Sequence, residues 1–223
     1  MRLLGSKRRL LRVYADIRYP SQMPPLLTKL QLQAAGIGAF FRPRDIEPLG
    51  ISFKQLQRLV SMGTVEKVGG GIYRLSEVEL IETETIAMVA AAVPGAIICL
   101  LTALRVYEIG TQSPHEVWIA LDRKSRKPTR VPTKLRVVRY SGAMLTYGVV
   151  TRSMLGVPVC ITSPARTVVD CFRYRNKVGI DVAIEALRDA VRLRKSTISE
   201  ISRAAEICRI RSVVGPYLMA LTV

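Results

Sequence analysis

ISFKQLQRLVSMGTVEKVGGGIYRL, residues 51–75, decides the architecture of the first part of this chain. Ser52 suits an N-cap, and Phe53, Leu56, Leu59 and Val60 recur at the spacing of one buried helical face. Lys54, Gln55 and Arg58 are left pointing outward. Gly63 stops the helix, and Val65 to Val68 and Ile72 to Leu75 then read as two strands. Between them Gly69, Gly70 and Gly71 supply the positive φ angles of a tight hairpin. Tyr73 reads as a core residue of the ribbon.

Upstream of this stretch lie two short helical patterns. Leu26 to Ala35 closes at Gly36, a C-cap residue; a second pattern starts near Arg42, with Pro43 in its first turn, and runs to about Glu47 before Pro48 and Gly50 stop it. Three helices followed by a two-stranded ribbon predict a winged helix-turn-helix domain over residues 26–80. Before it, residues 1–25 form a basic arm and linker, with Arg2, Lys7, Arg8, Arg9, Arg12 and Arg18 against the single acid Asp16.

Charge indicates the kind of partner. The 223 residues hold 34 Lys and Arg against 17 Asp and Glu, a formal charge of +17, which favours a polyanion. The most apolar region, Ile86 to Leu104, is broken by Pro94 and Gly95 and reads as buried helices, not as a membrane span. Met1 to Tyr19 lacks a continuous apolar stretch with a cleavage site, so a cytoplasmic protein without membrane contact is expected. Cys99, Cys160, Cys171 and Cys208 are far apart and there is one histidine, His115, so buried free thiols are expected, with no metal site and no cofactor.

From about residue 81 to 223 the pattern changes to a mixed α+β domain. Helices are expected at Thr83 to Val93 and Ile97 to Tyr107, and strands at Val117 to Leu121, Leu135 to Tyr140 and Val157 to Thr162. Further helices follow at Pro164 to Tyr174, Val182 to Leu193, Ile198 to Arg209 and roughly Pro216 to Leu221.

The helix from Ser52 to Met62 has the side chains a major-groove reader needs. Arg58 matches guanine and Gln55 adenine, while Ser52 and Lys54 suit phosphate or an early base. On the hairpin, Lys67 and Arg74 flank a tip whose bare backbone at Gly70 suits close approach to phosphates. Arg42 and Arg44, at the start of the second helix, complete the expected contacts to double-stranded DNA.

Two segments, GTVEKVGGGIYRL (63–75) and SPARTVVDCFRYRNKVGIDVAIEALRDAVRLRK (163–195), resemble the AbiEi-type antitoxins of type IV toxin-antitoxin systems in bacterial abortive infection. The second segment is the more distinctive, and the likeness runs from about Leu26 to Val223. It implies a winged-helix transcriptional autorepressor that binds repeats in its own promoter, followed by an α+β antitoxin domain. It further implies neutralisation of a nucleotidyltransferase-type toxin without a stable complex. The arm from Met1 to Arg18 is longer and more basic than the family pattern.

In the second domain Ser163 and Pro164 mark a helix start, with Val168, Val169 and Phe172 toward a core and Arg166, Asp170 and Arg173 on the other side. Arg166 and Asp170 stand four apart, as a structural ion pair or as a contact to a toxin or nucleic acid. Arg123, Lys124, Arg126, Lys127, Arg130, Lys134, Arg136 and Arg139 form a run of eight basic residues without an acid, a second surface suited to a polyanion. The alternative to a pure binder is a nucleic-acid-cleaving enzyme, for which Asp122 and Lys124 at a strand end are the best residues. His115, between Pro114 and Glu116, reads as a loop histidine without a catalytic partner.

Overall fold

The computed structural model describes Leu32, residues 36–76 and residues 83–221. The basic arm, most of the helix expected at 26–35 and the acid-rich stretch around residue 80 lie outside the described residues. The chain divides into two compact units, Met1–Glu79 and Leu80–Val223.

In the first unit the Ile37 N–H closes onto the Leu32 carbonyl at 3.0 Å across Gly36, the bond that ends a helix in a Schellman turn. Strand β1 (Phe40–Phe41) follows, then the one-turn helix α1 (Pro43–Ile46), a 3-10 turn at Glu47–Leu49, and helix α2 (Phe53–Ser61). Strands β2 (Val65–Gly69) and β3 (Ile72–Leu75) complete the wing. The sheet order is β1-β3-β2, all antiparallel, so the ribbon expected from sequence has a third strand. Two residues are too few to show a period, which is why β1 is silent in the sequence.

The core of this unit joins Leu32, Phe41, Ile46, Ile51, Leu56, Leu59, Val65, Tyr73 and Leu75. Tyr73 stacks on Phe41 with ring centroids 6.2 Å apart, and its hydroxyl accepts from Gln57 Nε2 at 3.3 Å. Phe53 departs from the expected buried face: it is 61% exposed, while Val60 is half-buried. In its first turn the helix runs past the edge of the core, so the three-residue step back from Leu56 reaches solvent.

The second unit is built on a five-stranded mixed sheet, ordered β6-β5-β4-β8-β7. Its strands are β4 (Ile97–Ile98), β5 (Val117–Asp122), β6 (Leu135–Tyr140), β7 (Val149–Met154) and β8 (Val157–Thr162). Helix α3 (Glu84–Ala92) packs on β8, and α4 (Leu100–Val106) follows β4. The expected helix from Ile97 is therefore a strand and then a helix; in a continuous apolar run the two cannot be told apart by period. Strand β7 was also silent, because it is an edge strand with four consecutive exposed residues from Val150 to Ser153.

Strands β5 and β6 are parallel neighbours, Val117 opposite Leu135 through Asp122 opposite Tyr140. A parallel pair needs a return connection of about a dozen residues. Here it is made by the 12 residues from Arg123 to Lys134, without a helix. Topology thus sets the length of the basic loop, and its charges keep it in water.

The C-terminal helices are α5 (Pro164–Arg173), α6 (Arg175–Val178), α7 (Ile180–Arg192), α8 (Ile198–Ile207) and α9 (Arg211–Ala220). Helix α5 lies at their centre, packed against α4, α7, α8 and α9. The last helix starts five residues before the expected Pro216, which it carries internally.

Helix α8 opens with a reciprocal cap. Thr197 Oγ1 accepts the Glu200 N–H at 3.2 Å, and the Glu200 carboxylate accepts the Thr197 N–H at 2.8 Å and the Ser196 hydroxyl at 2.9 Å. The bond from the Thr197 backbone, with those from Ser196 and the Thr197 side chain, holds the Glu200 carboxyl below its usual range. A depressed carboxyl stabilises the fold above its unfolded pKa and loses that contribution as pH falls through the folded value. Glu200→Ala is therefore expected to lower the melting temperature near neutral pH, with the difference from the parent shrinking below the usual carboxylate range. An undiminished difference in acid would mean that the charge plays no part in the cap.

Candidate nucleic-acid interface

The start of α2 is held by a capping box. Ser52 Oγ accepts the Gln55 N–H at 3.3 Å, and Gln55 Oε1 accepts both the Ser52 N–H at 2.7 Å and the Ser52 hydroxyl at 2.8 Å. Adenine pairing by a carboxamide uses its oxygen and its nitrogen together. The Gln55 oxygen is committed to the cap, so this conformation gives Ser52 and Gln55 a positioning role. Lys54 and Arg58 remain on the exposed face, four residues apart and so on one side of the helix.

The wing tip is formed by Gly69, Gly70 and Gly71, with φ of 123°, 59° and 79°, a run that side-chain-bearing residues would adopt only with strain. Lys67 pairs across the ribbon with Tyr73 and is exposed. Arg74 is half-buried and forms an ion pair with Glu66, its cross-strand neighbour. That pairing orders the wing, and a phosphate contact from Arg74 requires competing with it.

At the start of α1 the Arg42 N–H donates to Asp45 Oδ2 at 2.7 Å. Burial, then the charge of Arg44, lowers the Arg42 guanidinium from its usual value, with Asp45 opposing. Arg44 is exposed, its Nε 3.9 Å from Asp45, a distance at which an exposed pair contributes little. The outer residues of the expected interface are therefore Arg44, Lys54, Arg58, Lys67 and the glycine tip. Phe53, which the helical period placed on the buried face, is exposed on the same helix.

In the second unit Arg123, Lys124, Arg126, Lys127 and Arg130 are all exposed and make no ion pair among the described residues. The base of this loop is held by its own residues. Asp122 Oδ1 accepts the Lys124 N–H at 2.7 Å, and the Arg139 guanidinium donates to the carbonyls of Asp122 at 2.9 Å and Ser125 at 2.8 Å. Arg136 lies over Trp118, 5.5 Å from the ring centroid.

Of the two readings of Arg166 and Asp170 the structure shows the ion pair, but on the opposite side from the one expected: instead of facing away from the core both are 0% exposed. Arg166 Nε donates to both Asp170 oxygens, at 2.9 and 3.0 Å, and its remaining nitrogens donate to the carbonyls of Tyr147 at 2.7 Å and Met144 at 3.3 Å. The Tyr140 hydroxyl donates to Asp170, and the Arg166 guanidinium stands 4.9 Å from the Tyr140 ring. Burial raises the Asp170 carboxyl against the pull of Arg166 and these hydrogen bonds. Gly148 lets the loop close on this pair, since a Cβ there would stand 2.8 Å from that of Arg166. Arg173 is exposed, and its guanidinium donates to the Cys208 carbonyl at 2.9 Å.

The cleavage alternative gains no support from geometry. Asp122 serves a turn, and among the described residues no three His, Cys, Asp or Glu side chains come together in a way that would hold a metal ion. His115 sits exposed in a loop. All four cysteines are free, three of them buried and Cys160 half-buried. Among the described residues no helix is long and apolar enough to cross a membrane.

Residues 31–76 match the model of a protein family described as a transcriptional regulator, AbiEi antitoxin. The matched span takes in the wing and its helices, and it supports the AbiEi-type resemblance and a regulator and antitoxin role. No curated protein matches the chain.

Proposed function

We propose that this chain is a cytoplasmic DNA-binding autorepressor that also counteracts a nucleotidyltransferase-type toxin without forming a stable complex with it. The observation that carries the DNA-binding part is the capped helix α2, whose outer face presents Lys54 and Arg58 beside a glycine-tipped wing bearing Lys67. Repeats in the protein's own promoter are the target. Helix α2 enters the major groove, Arg58 selects a guanine, and Lys54, Lys67 and Arg44 neutralise phosphates. The basic loop from Arg123 to Lys134 is a second polyanion surface. It contacts DNA beside the wing's site or the nucleic-acid substrate of the toxin. The toxin part rests on the family resemblance and the regulator match.

The test is binding of the full chain to DNA from upstream of its own gene and to scrambled DNA of equal length, over a salt series. Arg58→Ala is expected to cost about 1–3 kcal/mol on the first DNA and to relax discrimination at one position. Lys67→Ala should weaken both DNAs alike and reduce the salt slope by about 1. Loss of the same sequence-independent kind in both variants would remove α2 as the reading helix.

A further inference from the structure

Phe53 is the one large apolar side chain at the leading end of α2, and the core does not use it. Leu56 at 0% and Leu59 at 4% exposure fill the space under the helix with Ile46, Ile51 and Tyr73, while Phe53 stays 61% exposed. The exposed residues close to it in the sequence are polar or cationic: Ser52, Lys54, Gln55, Gln57 and Arg58. The capping box fixes where the first turn begins, so the backbone that carries the ring is held in place. Helical side chains lean toward the N-terminus. Phe53 therefore projects beyond the first turn, on the end of the helix that reaches base edges in helix-turn-helix docking.

We infer that Phe53 reads the 5-methyl group of a pyrimidine in the major groove. Apart from the small C5–H of cytosine, the other features on the major-groove edge of a base pair are hydrogen-bond donors or acceptors, which an aromatic ring cannot satisfy, and the methyl of thymine is the one bulky apolar group. The cations around Phe53 bring it to the polyanion, and the ring then buries the methyl. A 5-methylcytosine carries the same group and is read in the same way. This inference rests on α2 being the recognition helix.

The experiment compares two versions of the gene's upstream DNA, one with thymine and one with deoxyuridine throughout, for the wild-type chain and Phe53→Ala. Burial of one methyl is worth about a fourfold change in affinity. The wild type is expected to bind the uracil DNA about fourfold or more weakly, while Phe53→Ala binds both DNAs equally and prefers them to a scrambled sequence. An equal loss on uracil DNA in wild type and variant would overturn the inference, because the methyl would then act through DNA shape. Equal binding of both DNAs by the wild type would overturn it too, with the recognition helix left standing if own DNA is still preferred to scrambled. Absence of that preference in the wild type would sink the recognition-helix reading together with this one.

Discussion

Asp170→Ala is expected to destabilise the second unit by about 3–5 kcal/mol, the usual cost of removing one partner of a buried ion pair. The substitution leaves the Arg166 guanidinium charged and enclosed, held by the carbonyls of Tyr147 and Met144 and the Tyr140 ring without a counter-charge from Asp170, and leaves the Tyr140 hydroxyl without this acceptor. For a unit of this size the melting temperature should fall by about 10 °C or more. Replacing the three side chains with apolar ones, as Arg166→Met, Asp170→Leu and Tyr140→Phe together, should recover part of that loss, since hydrophobic substitution of a buried ion pair is often neutral while the carbonyls of Tyr147 and Met144 lose this donor. Thermal unfolding of the two variants beside the parent is the measurement. A single variant melting within about 2 °C of the parent would show that the pair does not hold α5 in place.

Neutralising the crossover loop should have the larger effect on nucleic-acid binding. Arg123, Lys124, Arg126, Lys127 and Arg130 replaced together by Gln remove five exposed charges that make no ion pair among the described residues, so the fold loses no contact shown there. Each phosphate contact contributes about 0.9 to the slope of log affinity against log salt. If all five touch phosphate the slope falls by about 4.5, and at about 0.1 M salt the affinity falls by up to roughly four orders of magnitude. Titration of upstream DNA over a salt series reads both quantities. An unchanged slope would make the loop a solvated crossover whose charge serves only to keep it at the surface; a changed slope with the preference for own DNA retained would separate this surface from the reading helix.

These two expectations differ in how far the sequence foresaw them. The basic loop was visible because charge is additive along the chain and needs no partner to be recognised. Why it lies where it does was not, since nothing local states that β5 and β6 run parallel and that the chain must return the length of a strand between them. The pairing of Arg166 with Asp170 followed from their spacing on one helix, but its burial did not. Helical period places a residue on a face; whether a second layer covers that face depends on α4, α7, α8 and α9 closing around α5, and on Gly148 letting a loop approach.

The same division runs through the first unit. The residues of α2, its cap at Ser52, the stop at Gly63 and the glycine-tipped hairpin were all legible, because each depends on dihedral preference and hydrogen bonds within a few positions. The sequence by itself therefore determined the winged-helix and α+β architecture, most of the long helices and strands, the surplus of positive charge and the outward face of Lys54 and Arg58. Only the tertiary structure decided that Phe53 is bare, that Gln55 and Arg74 are engaged by Ser52 and Glu66, that β1, β4 and β7 exist, and that Arg166 and Asp170 lie inside. Exposure, strand partners and the pairing of charges are properties of what the rest of the chain places alongside a residue, and the order of residues in one element does not contain them.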